Sequence, residues 1–513
     1  MVSILALGGL LVLFLLSRAI YRLYFSPLAK FPGPRIAALT SWYCAYHDLI
    51  RGGQYIWVIE EMHRQYGPIV RTMPNVLHVN DPSFIDQLYA QSPNSRRERA
   101  QTVLNLFHEH LSVLPTRDHD LHRRRRAVLS RFFSQQNVRR LVPVINDTLA
   151  DLLQRMEGWA KAGNPVSINA AYKAATKDVI QAYALGEGQK CLQMEDCNAA
   201  FFETLSAGRL SHIGVHFHWL AVLMTKLPPS FITAMSPQIL AFIRFVDDLG
   251  TKIESIRNAK EHPEGRTIFH EILRSDIPDQ EKSTPRLVDE AMVLAIAGAD
   301  TTASTMVALT YHVLSDPAIF TRLRQELESV MPSPDQPPDP TKLDALPFLN
   351  ALIEEALRLY PSATHRQDRV APDDDLTFQY PNGDKIIIPA GTIVGMTAPI
   401  INRHPGWYED PESFYPDRYL ENPKLLRRHF TFSKGARQCL GMNLAYQELQ
   451  TFTAGIFRKY GIYDDTLMQQ NGPTLELYDT KIEDVRMHAD YVTPGLRPGS
   501  QGVRLKIRRA QDN

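Results

Sequence analysis

A ten-residue stretch could bind a metal ion through a single cysteine. It runs from Phe432 to Gly441, reads Phe-Ser-Lys-Gly-Ala-Arg-Gln-Cys-Leu-Gly, and frames Cys439 with Gly435 and Arg437. Glycines permit a tight turn and a close backbone approach to a flat ligand. A nearby arginine and backbone N–H groups aimed at the sulfur favour the thiolate, which is the metal-binding form. We expect Cys439 at the tip of a metal-binding loop with Phe432 covering one side; the alternative is a buried cysteine in a turn.

With every fixed position present, the stretch resembles the haem-ligand signature of the cytochrome P450 monooxygenases, Phe-x-x-Gly-x-Arg-x-Cys-x-Gly. The resemblance implies haem b as cofactor, with Cys439 as its axial thiolate ligand, and O2 as co-substrate. A thiolate ligand pushes electron density onto iron and favours cleavage of the O–O bond. The implied activity is insertion of one oxygen atom of O2 into an organic substrate.

A long helix-compatible segment begins near Pro285 and would span about 45 Å, enough to cross a large domain. In its middle, Gly298 and the adjacent threonines are poor helix formers and predict a local distortion. The Thr301 hydroxyl can bond the carbonyl of Ala297 and bend the helix. The segment resembles the family motif Ala-Gly-x-Asp/Glu-Thr-Thr, which implies that Thr301, with Asp300 behind it, delivers protons to bound dioxygen. Small-residue helix packing is the alternative.

Glu355 and Arg358 are three residues apart in a run of good helix formers that Pro361 ends. The spacing puts both charges on one helix face, where an ion pair ordinarily contributes less than about 1 kcal/mol. Arg418, however, lies in a stretch that resembles the family's Pro-x-Arg segment. The resemblance implies a buried network of Glu355, Arg358 and Arg418 behind the cysteine loop, and makes these three structural residues.

Two haem propionates would be buried anions and would need cationic partners. A stretch beginning at His122 resembles the family's Trp-x-x-x-Arg helix, with histidine in place of tryptophan. The resemblance implies that Arg126 contacts a propionate, with His122 as a weaker contact. Arg437 is a further candidate. Arg369 resembles a third family arginine, although the preceding His-Arg-Gln leaves that alignment open by one position.

Length and composition indicate one large catalytic domain. The chain has 513 residues, and no linker, repeat or low-complexity block divides it after the N-terminus. A hydrophobic content of 44% supports a large core, and a net charge of zero argues against a nucleic-acid partner. Four cysteines do not make a disulfide framework, which fits a reducing compartment.

Periodicity predicts an α+β fold that is mostly helical. Helix-compatible stretches such as 138–162 and 341–360 outnumber the β-rich ones at 70–79, 376–388 and 502–507. The resemblance makes this the cytochrome P450 fold, with a long central helix over haem, small β-sheets and an N-terminal anchor helix.

The N-terminus predicts a membrane anchor. The first sixteen residues are uncharged, and aromatic residues up to position 25 suit a membrane interface. A signal peptide is the alternative, but it would have a basic start and a small-residue cleavage site. We expect a transmembrane anchor at 1–25, a Pro-rich hinge at 26–40 and a single haem-thiolate monooxygenase domain at 41–513.

Basic residues set the predicted topology. Arg18, Arg22, Lys30 and Arg35 follow the apolar segment, and the positive-inside rule puts the catalytic domain on the cytosolic side. The resemblance makes the membrane that of the endoplasmic reticulum, crossed once.

Three histidine clusters are not expected to bind a metal ion. His108 and His110 lack the His-x-x-x-His spacing of a helical zinc site, and residues 118–122 run into four arginines. The histidines within 212–218 lie in an apolar stretch, where hydrogen-bonded histidines are commoner than ligands.

The sequence contains no G-x-G-x-x-G fingerprint of a flavin or nicotinamide site, so electrons must come from another protein. The resemblance implies a membrane-bound NADPH–cytochrome P450 reductase, with cytochrome b5 as an additional donor. Arg123, Arg124 and Arg125, together with Lys434, are expected to form its docking surface. The alternative is a solvated helix face.

By resemblance, the substrate pocket would draw on residues 103–114, 291–302, 362–365 and 491–495, which are mostly apolar. Such a pocket suits a lipophilic small molecule reached from the membrane. The motifs resemble those of filamentous-fungal members of the family in specialised metabolism, which leaves terpenoid, indole-terpenoid and polyketide skeletons open. A xenobiotic-oxidising enzyme, a haem-thiolate isomerase or dehydratase and a haem sensor are alternatives. The last three would have no use for a proton-delivering Asp–Thr pair.

Overall fold

The computed structural model describes residues 2–92, 95–105, 111–186, 189–206, 209–225, 227–228, 239–259, 267–464, 466 and 472–510. All structural statements below concern these residues. The histidine cluster at His108 and His110 lies outside them.

Among the helices of the described residues, the longest is α16, which lies in the hydrophobic core. In chain order they are α1 (Val2–Ile20), α2 (Arg35–Leu39), α3 (Trp42–Ala45), α4 (Tyr55–Tyr66), α5 (Ile85–Leu88), α6 (Gln101–Leu104), α7 (His119–Ser130), α8 (Gln135–Arg139), α9 (Val142–Ala162), α10 (Ile168–Leu185), α11 (Ala199–Ser206), α12 (Arg209–His216), α13 (His218–Thr225), α14 (Ile239–Asn258), α15 (Ile268–Arg274), α16 (Thr284–Ser315), α17 (Pro317–Val330), α18 (Pro340–Asp344), α19 (Pro347–Leu359), α20 (Ala398–Ile401), α21 (Asp417–Glu421) and α22 (Met442–Lys459).

The strands are short and form small sheets. They are β1 (Ile69–Met73), β2 (Val76–Val79), β3 (Glu98–Arg99), β4 (Val166–Ser167), β5 (Arg369–Val370), β6 (Leu376–Gln379), β7 (Lys385–Ile388), β8 (Ile393–Gly395), β9 (Gly461–Ile462), β10 (Thr474–Leu477), β11 (Ala489–Tyr491), β12 (Thr493–Gly495) and β13 (Arg504–Arg508). One sheet has the order β1-β2-β8-β5-β3, a second has the order β4-β13-β10-β9, and β6–β7 and β11–β12 are hairpins. In the first sheet, β3 pairs with β5 so that Arg99 lies opposite Arg369.

The predicted mostly helical α+β fold is confirmed, but two predicted helices are each divided. The stretch 138–162 becomes the end of α8 and the whole of α9, which has Pro143 in its first turn. The stretch 341–360 becomes α18 and α19, and Pro347 begins α19. Proline has no N–H to continue a preceding helix, so it starts a new one.

Helix α16 is the core of the molecule, and α10, α14 and α22 pack against it. Gly298 allows α10 to approach closely, because a Cβ there would lie 3.0 Å from a methyl carbon of Ile180. The Thr301 hydroxyl donates to the carbonyl of Ala297 at 2.9 Å, as predicted. These residues all remain α-helical. The glycine therefore serves helix packing.

The N-terminal helix α1 leads into a π-helical turn, Tyr21–Phe25, where the Arg22 carbonyl accepts Nη1 of Arg71 at 2.8 Å. Within the described residues, the segments Leu5–Phe25 and Thr284–Ser315 are long and apolar enough to cross a membrane by length and composition, but the second is 61% buried in the protein. The first is not buried, and it is compatible with a membrane anchor.

The segment expected to be a hinge packs against the domain. Phe31 and Leu28 are buried, and the carbonyl of Pro32 accepts the N–H of Arg71 at 2.7 Å. A Cβ on Gly33 would lie 2.6 Å from the carbonyl oxygen of Arg71, so the chain crosses β1 in close contact. These contacts fix the segment on β1.

Candidate haem site

The cysteine loop is held by backbone hydrogen bonds. The Cys439 N–H donates to the carbonyl of Phe432 at 2.8 Å, and α22 begins at Met442 directly after the loop. Gly435 has φ +73°, and a Cβ there would lie 1.8 Å from the carbonyl oxygen of Tyr89. A side chain at position 435 would therefore collide with the protein backbone, so glycine is required there. By contrast, a Cβ on Gly441 would meet no protein atom within 4 Å, so protein packing does not require that glycine.

The electrostatics of the thiol combine opposing effects. Desolvation inside the protein raises the pKa of Cys439, whereas the backbone N–H groups of Gly441 and Met442 and the charge of Arg126 lower it. The N–H groups at the sulfur were predicted. The arginine that acts on the sulfur is Arg126, in place of the expected Arg437. These N–H groups lie at the N-terminus of α22, where the helix dipole also favours an anion.

Arg437 fastens the cysteine loop to the chain before α7. Its Nη1 donates to the carbonyl of Thr116 at 2.6 Å and its Nη2 to that of Arg117 at 2.7 Å. Its Nε donates to the carbonyl of Arg97 at 3.3 Å. Desolvation, Arg369 and Arg126 lower the pKa of Arg437 to about 9, despite Glu98 and Asp118. Arg437 therefore positions the loop as well as adding charge to its surroundings.

Four arginines and a histidine converge beside the loop. Desolvation, followed by Arg437, Arg99, Arg126 and Arg369, lowers the pKa of His122 to about 2. Desolvation and the charges of Arg369, Arg437 and Arg126 likewise hold the pKa of Arg99 well below its usual range. The group therefore consists of three predicted arginines, the neutral His122, and Arg99, which was not predicted from the sequence.

Arg99 can be recognised as a site residue only from the fold. Its neighbours Arg96 and Arg97 pair with the carboxylates of Asp373 and Asp374. The register of β3 on β5 places Arg99 opposite Arg369, which is far away in sequence. Nothing local in the sequence separates Arg99 from the other two arginines.

The cation group fits a bound dianion. Within the described residues neither Arg99 nor Arg126 has a carboxylate partner, and the Nε of Arg99 has no hydrogen-bond partner. Both side chains keep accessible surface although desolvation lowers their pKa values, so they face a space inside the protein. Uncompensated cations in such a space are costly unless an anion joins them. The two propionates of haem have the required charge.

The central helix borders the same interior. Ala297, Ala363 and Cys439 are exposed although buried or partly buried residues surround each of them in the chain, and Thr301 is partly exposed. The Ser362 hydroxyl donates to the carbonyl of Thr301 at 2.8 Å and so joins the 362–363 segment to α16. A space lined by a thiol, small side chains and a threonine fits a flat cofactor with a substrate above it.

The proton-delivery residues have defined partners. The Asp300 carboxylate pairs with Nζ of Lys173 on α10 at 2.5 Å, a contact that the sequence did not suggest. Glu448 on α22 lies beside Thr302, and desolvation raises the pKa of Glu448 well above its usual range. Its Oε1 has no hydrogen-bond partner among the described residues. Helix α16 thus contacts the helix that follows the cysteine loop.

The predicted network of Glu355, Arg358 and Arg418 is present and buried. Arg358 donates from Nε and Nη2 to both Glu355 oxygens at 2.8 Å, and Arg418 donates from Nε to Oε1 at 3.0 Å. The remaining N–H groups donate to backbone carbonyls of Asn402, Glu409, Asp410, Pro411 and Ser413. Desolvation is outweighed by Glu355, so the pKa of Arg358 is raised. The network fixes the chain that leads into the cysteine loop.

One member of the expected docking surface is not on it. Arg125 is nearly buried and binds both oxygens of Glu281, at 2.6 and 2.9 Å, and it also donates to the Thr116 hydroxyl. Arg123 and Arg124 are exposed on α7, and Lys434 is partly exposed. The prediction was wrong for Arg125, because its partner lies on a segment that only the fold brings near.

Comparison with known proteins identifies the family. Residues 38–475 match the family model described as Cytochrome P450. The chain is 38% identical to cytochrome P450 monooxygenase tpcC of Cochliobolus heterostrophus, covering 95% of this chain and 94% of that protein. It is 38% identical to cytochrome P450 monooxygenase astB of Talaromyces wortmannii, covering 97% of this chain and 96% of that protein. It is 36% identical to tryptophan 6-hydroxylase fscE of Fusarium equiseti, covering 98% and 97%.

The family uses haem b with a cysteine thiolate ligand together with O2, and it implies a redox partner and a lipophilic substrate. The interior described above fits that cofactor. The chain belongs to the cytochrome P450 family, as a monooxygenase of fungal secondary metabolism.

Proposed function

We propose that Cys439 is the axial ligand of haem b and that Arg99, Arg126 and Arg369, with His122 as a weaker contact, bind its propionates. The observation that carries the proposal is that Arg99 and Arg126, which have no carboxylate partner among the described residues, lie beside an accessible thiol. Bound haem supplies the chemistry of O2 activation. The N–H groups of Gly441 and Met442 stabilise negative charge on the sulfur. Arg437 and Phe432 hold the loop in place.

Proton delivery falls to Thr301 and Asp300. The Thr301 hydroxyl donates its proton to the Ala297 carbonyl, so its oxygen can accept a hydrogen bond from a water molecule in the cavity and hold that water as the proton carrier. Lys173 holds the carboxylate of Asp300 in an ion pair. The carboxylate exchanges protons with water when it leaves that pair. Glu355, Arg358 and Arg418 act at a distance, because they fix the chain that carries the cysteine loop.

The electron donor is NADPH–cytochrome P450 reductase, with cytochrome b5 as an additional donor. Arg123, Arg124 and Lys434 form the docking surface for its acidic face. Residues 1–25 anchor the enzyme in the endoplasmic reticulum membrane in a single pass. The domain of residues 41–513 then lies on the cytosolic side, with 26–40 fixing its position on the bilayer.

The substrate is a lipophilic skeleton of fungal secondary metabolism, with terpenoid, indole-terpenoid and polyketide classes open. Small and apolar side chains at Ala297 and Ala363 support a lipophilic substrate. The name of one relative, tryptophan 6-hydroxylase, adds indole ring carbons to the positions worth testing.

Isotope labelling tests the proposed function. Membranes containing the protein and a reductase are supplied with NADPH, 18O2 and an extract of a producing strain that lacks the protein. We expect a product that requires both NADPH and reductase and carries one 18O atom. A product that forms without reductase and carries no label would instead establish an isomerase or dehydratase.

A further inference from the structure

A cluster of charged, thiol and imidazole side chains lies inside the protein where α12 packs on the chain after the predicted hinge. Asp48 is its centre and is fully buried. Its Oδ2 lies 3.0 Å from Nε2 of His216, 3.3 Å from Nη2 of Arg366 and 3.3 Å from Sγ of Cys44. Burial alone would raise the pKa of Asp48, yet Arg366, His216 and His212 hold it below its usual range. We call these residues, with Asp490 and His365, the α12 cluster.

Asp490 forms the second half of the cluster. Its carboxylate lies 2.8 Å from Nδ1 of His365 and accepts the hydroxyl of Thr364 at 2.8 Å. Its backbone carbonyl lies 2.6 Å from Nε2 of His212. His212 and His216 are four residues apart on one face of α12 and reach the two carboxyl-bearing residues, Asp490 and Asp48.

Helix α12 therefore covers the predicted substrate pocket. A Cβ on Gly214 would lie 2.5 Å from the carbonyl oxygen of Asn105, which belongs to the predicted pocket stretch 103–114. The His212 ring lies 6.1 Å from that of Tyr491 and 5.8 Å from that of His365. Three of the four predicted pocket stretches thus contact one short helix, and the fourth, on α16, is joined to Ser362 by a hydrogen bond.

A metal ion is the obvious alternative occupant, because Cys44, Asp48 and His216 offer ligand atoms within 4.8 Å of one another. Arg366 opposes it. Its guanidinium lies 3.3 Å from Oδ2 of Asp48 and 3.8 Å from Sγ of Cys44, so it already supplies a cation at this position. A divalent ion there would meet strong repulsion in a desolvated site.

We propose that Asp48 and Arg366 are positioning residues that hold α12 as the roof of the substrate cavity and so set how fast a substrate enters and leaves. The proposal rests on the proposed function, because the cavity is the one above haem. An ionic cluster suits this task, since opening returns water to its charged groups and offsets part of the lost attraction. Apolar side chains would gain no comparable favourable hydration when α12 opens.

Amide hydrogen exchange and ligand association test the proposal together. The variants are Asp48→Asn and, as a milder change at the edge of the cluster, His216→Gln. Asp86→Asn is the matched control, because Asp86 is an exposed carboxylate on α5. For Asp48→Asn we expect exchange in residues 209–216 to be roughly ten- to a hundredfold faster, since hydrogen bonds to a charged group are lost. Association of 4-phenylimidazole, followed by the haem Soret shift, should accelerate while haem content stays unchanged.

The outcomes separate cleanly. Faster exchange confined to 209–216 supports the roof, whereas a uniform increase along the chain, or no change beyond that of Asp86→Asn, overturns it. Stoichiometric zinc in the purified protein that Asp48→Asn abolishes would also overturn it. If the parent protein binds no haem, the proposed function fails, but the exchange measurement still decides whether the cluster holds α12.

Discussion

Replacing Arg99 by methionine should have opposite effects on the protein with and without haem. In the absence of a dianion, Arg99 faces the charges of Arg369, Arg437 and Arg126 without a carboxylate partner, and its pKa is held well below the usual range. Methionine keeps much of the side-chain volume and removes the charge. The apoprotein should therefore gain stability, whereas haem should bind less tightly because one propionate partner is gone.

The magnitudes follow from the desolvated position of Arg99. A lost hydrogen bond to a charged group contributes about 1.5–3 kcal/mol, which corresponds to roughly ten- to 150-fold weaker haem binding. Removing a desolvated, unpaired charge should raise the free energy of unfolding of the apoprotein by about 1–3 kcal/mol. Haem affinity is measured by transfer to excess apomyoglobin, and apoprotein stability is measured by urea denaturation.

Arg96→Met is the matched control, because Arg96 lies three residues earlier, is 41% exposed and pairs with Asp373. It should leave both quantities close to those of the parent. If Arg99→Met destabilised the apoprotein and left haem release unchanged, Arg99 would be an ordinary structural residue. The reasoning about the cation group would then be wrong.

Three further predictions concern separate parts of the site. Thr301→Ala should retain haem but lower the product formed per NADPH consumed by roughly two- to tenfold and release peroxide, because water replaces the hydroxyl only in part. Glu355→Gln should lower the free energy of unfolding by about 3–5 kcal/mol and yield protein poor in haem, because it leaves two buried guanidinium groups without their shared carboxylate. Reversing the charges of Arg123 and Arg124 to glutamate should slow reduction by the reductase roughly tenfold at low salt and weaken its salt dependence. Stopped-flow reduction across an ionic-strength series measures the last effect.

Each of these has its own control. An unchanged coupling ratio would remove Thr301 from proton delivery. Normal haem content and an unchanged urea midpoint in Glu355→Gln would show that the network is dispensable. For the charge reversal, the double variant of exposed lysines Lys161→Glu and Lys385→Glu changes net charge equally away from α7. Equal slowing in both variants would show that the effect comes from net charge alone.

Local patterns predicted the parts of the site that are built from neighbouring residues. The cysteine loop, the Thr301–Ala297 hydrogen bond and the Glu355–Arg358 pair each depend on spacings of ten residues or fewer. Their geometry is set by one turn or one helix, so residue types at fixed offsets are sufficient. The mostly helical fold class followed from periodicity in the same way.

The remaining features depend on contacts that cross the chain. Arg99 meets Arg369 through a strand register, and Arg125 finds Glu281 at a separation of 156 residues. Lys173 and Asp300 meet because α10 packs on α16. A single sequence carries no marker for such pairs, since Arg99, Lys173 and Glu281 each look like a solvated surface charge.

The carbon monoxide spectrum of the reduced protein tests the central claim most directly. Cys439 is the accessible cysteine, whereas Cys44, Cys191 and Cys197 are buried. The parent protein and a Cys197→Ala control should both show the strongly red-shifted Soret band of thiolate-bound haem, and Cys439→Ala should lack it. Retention of that band in Cys439→Ala would contradict the assignment of the axial ligand and, with it, the account of the site.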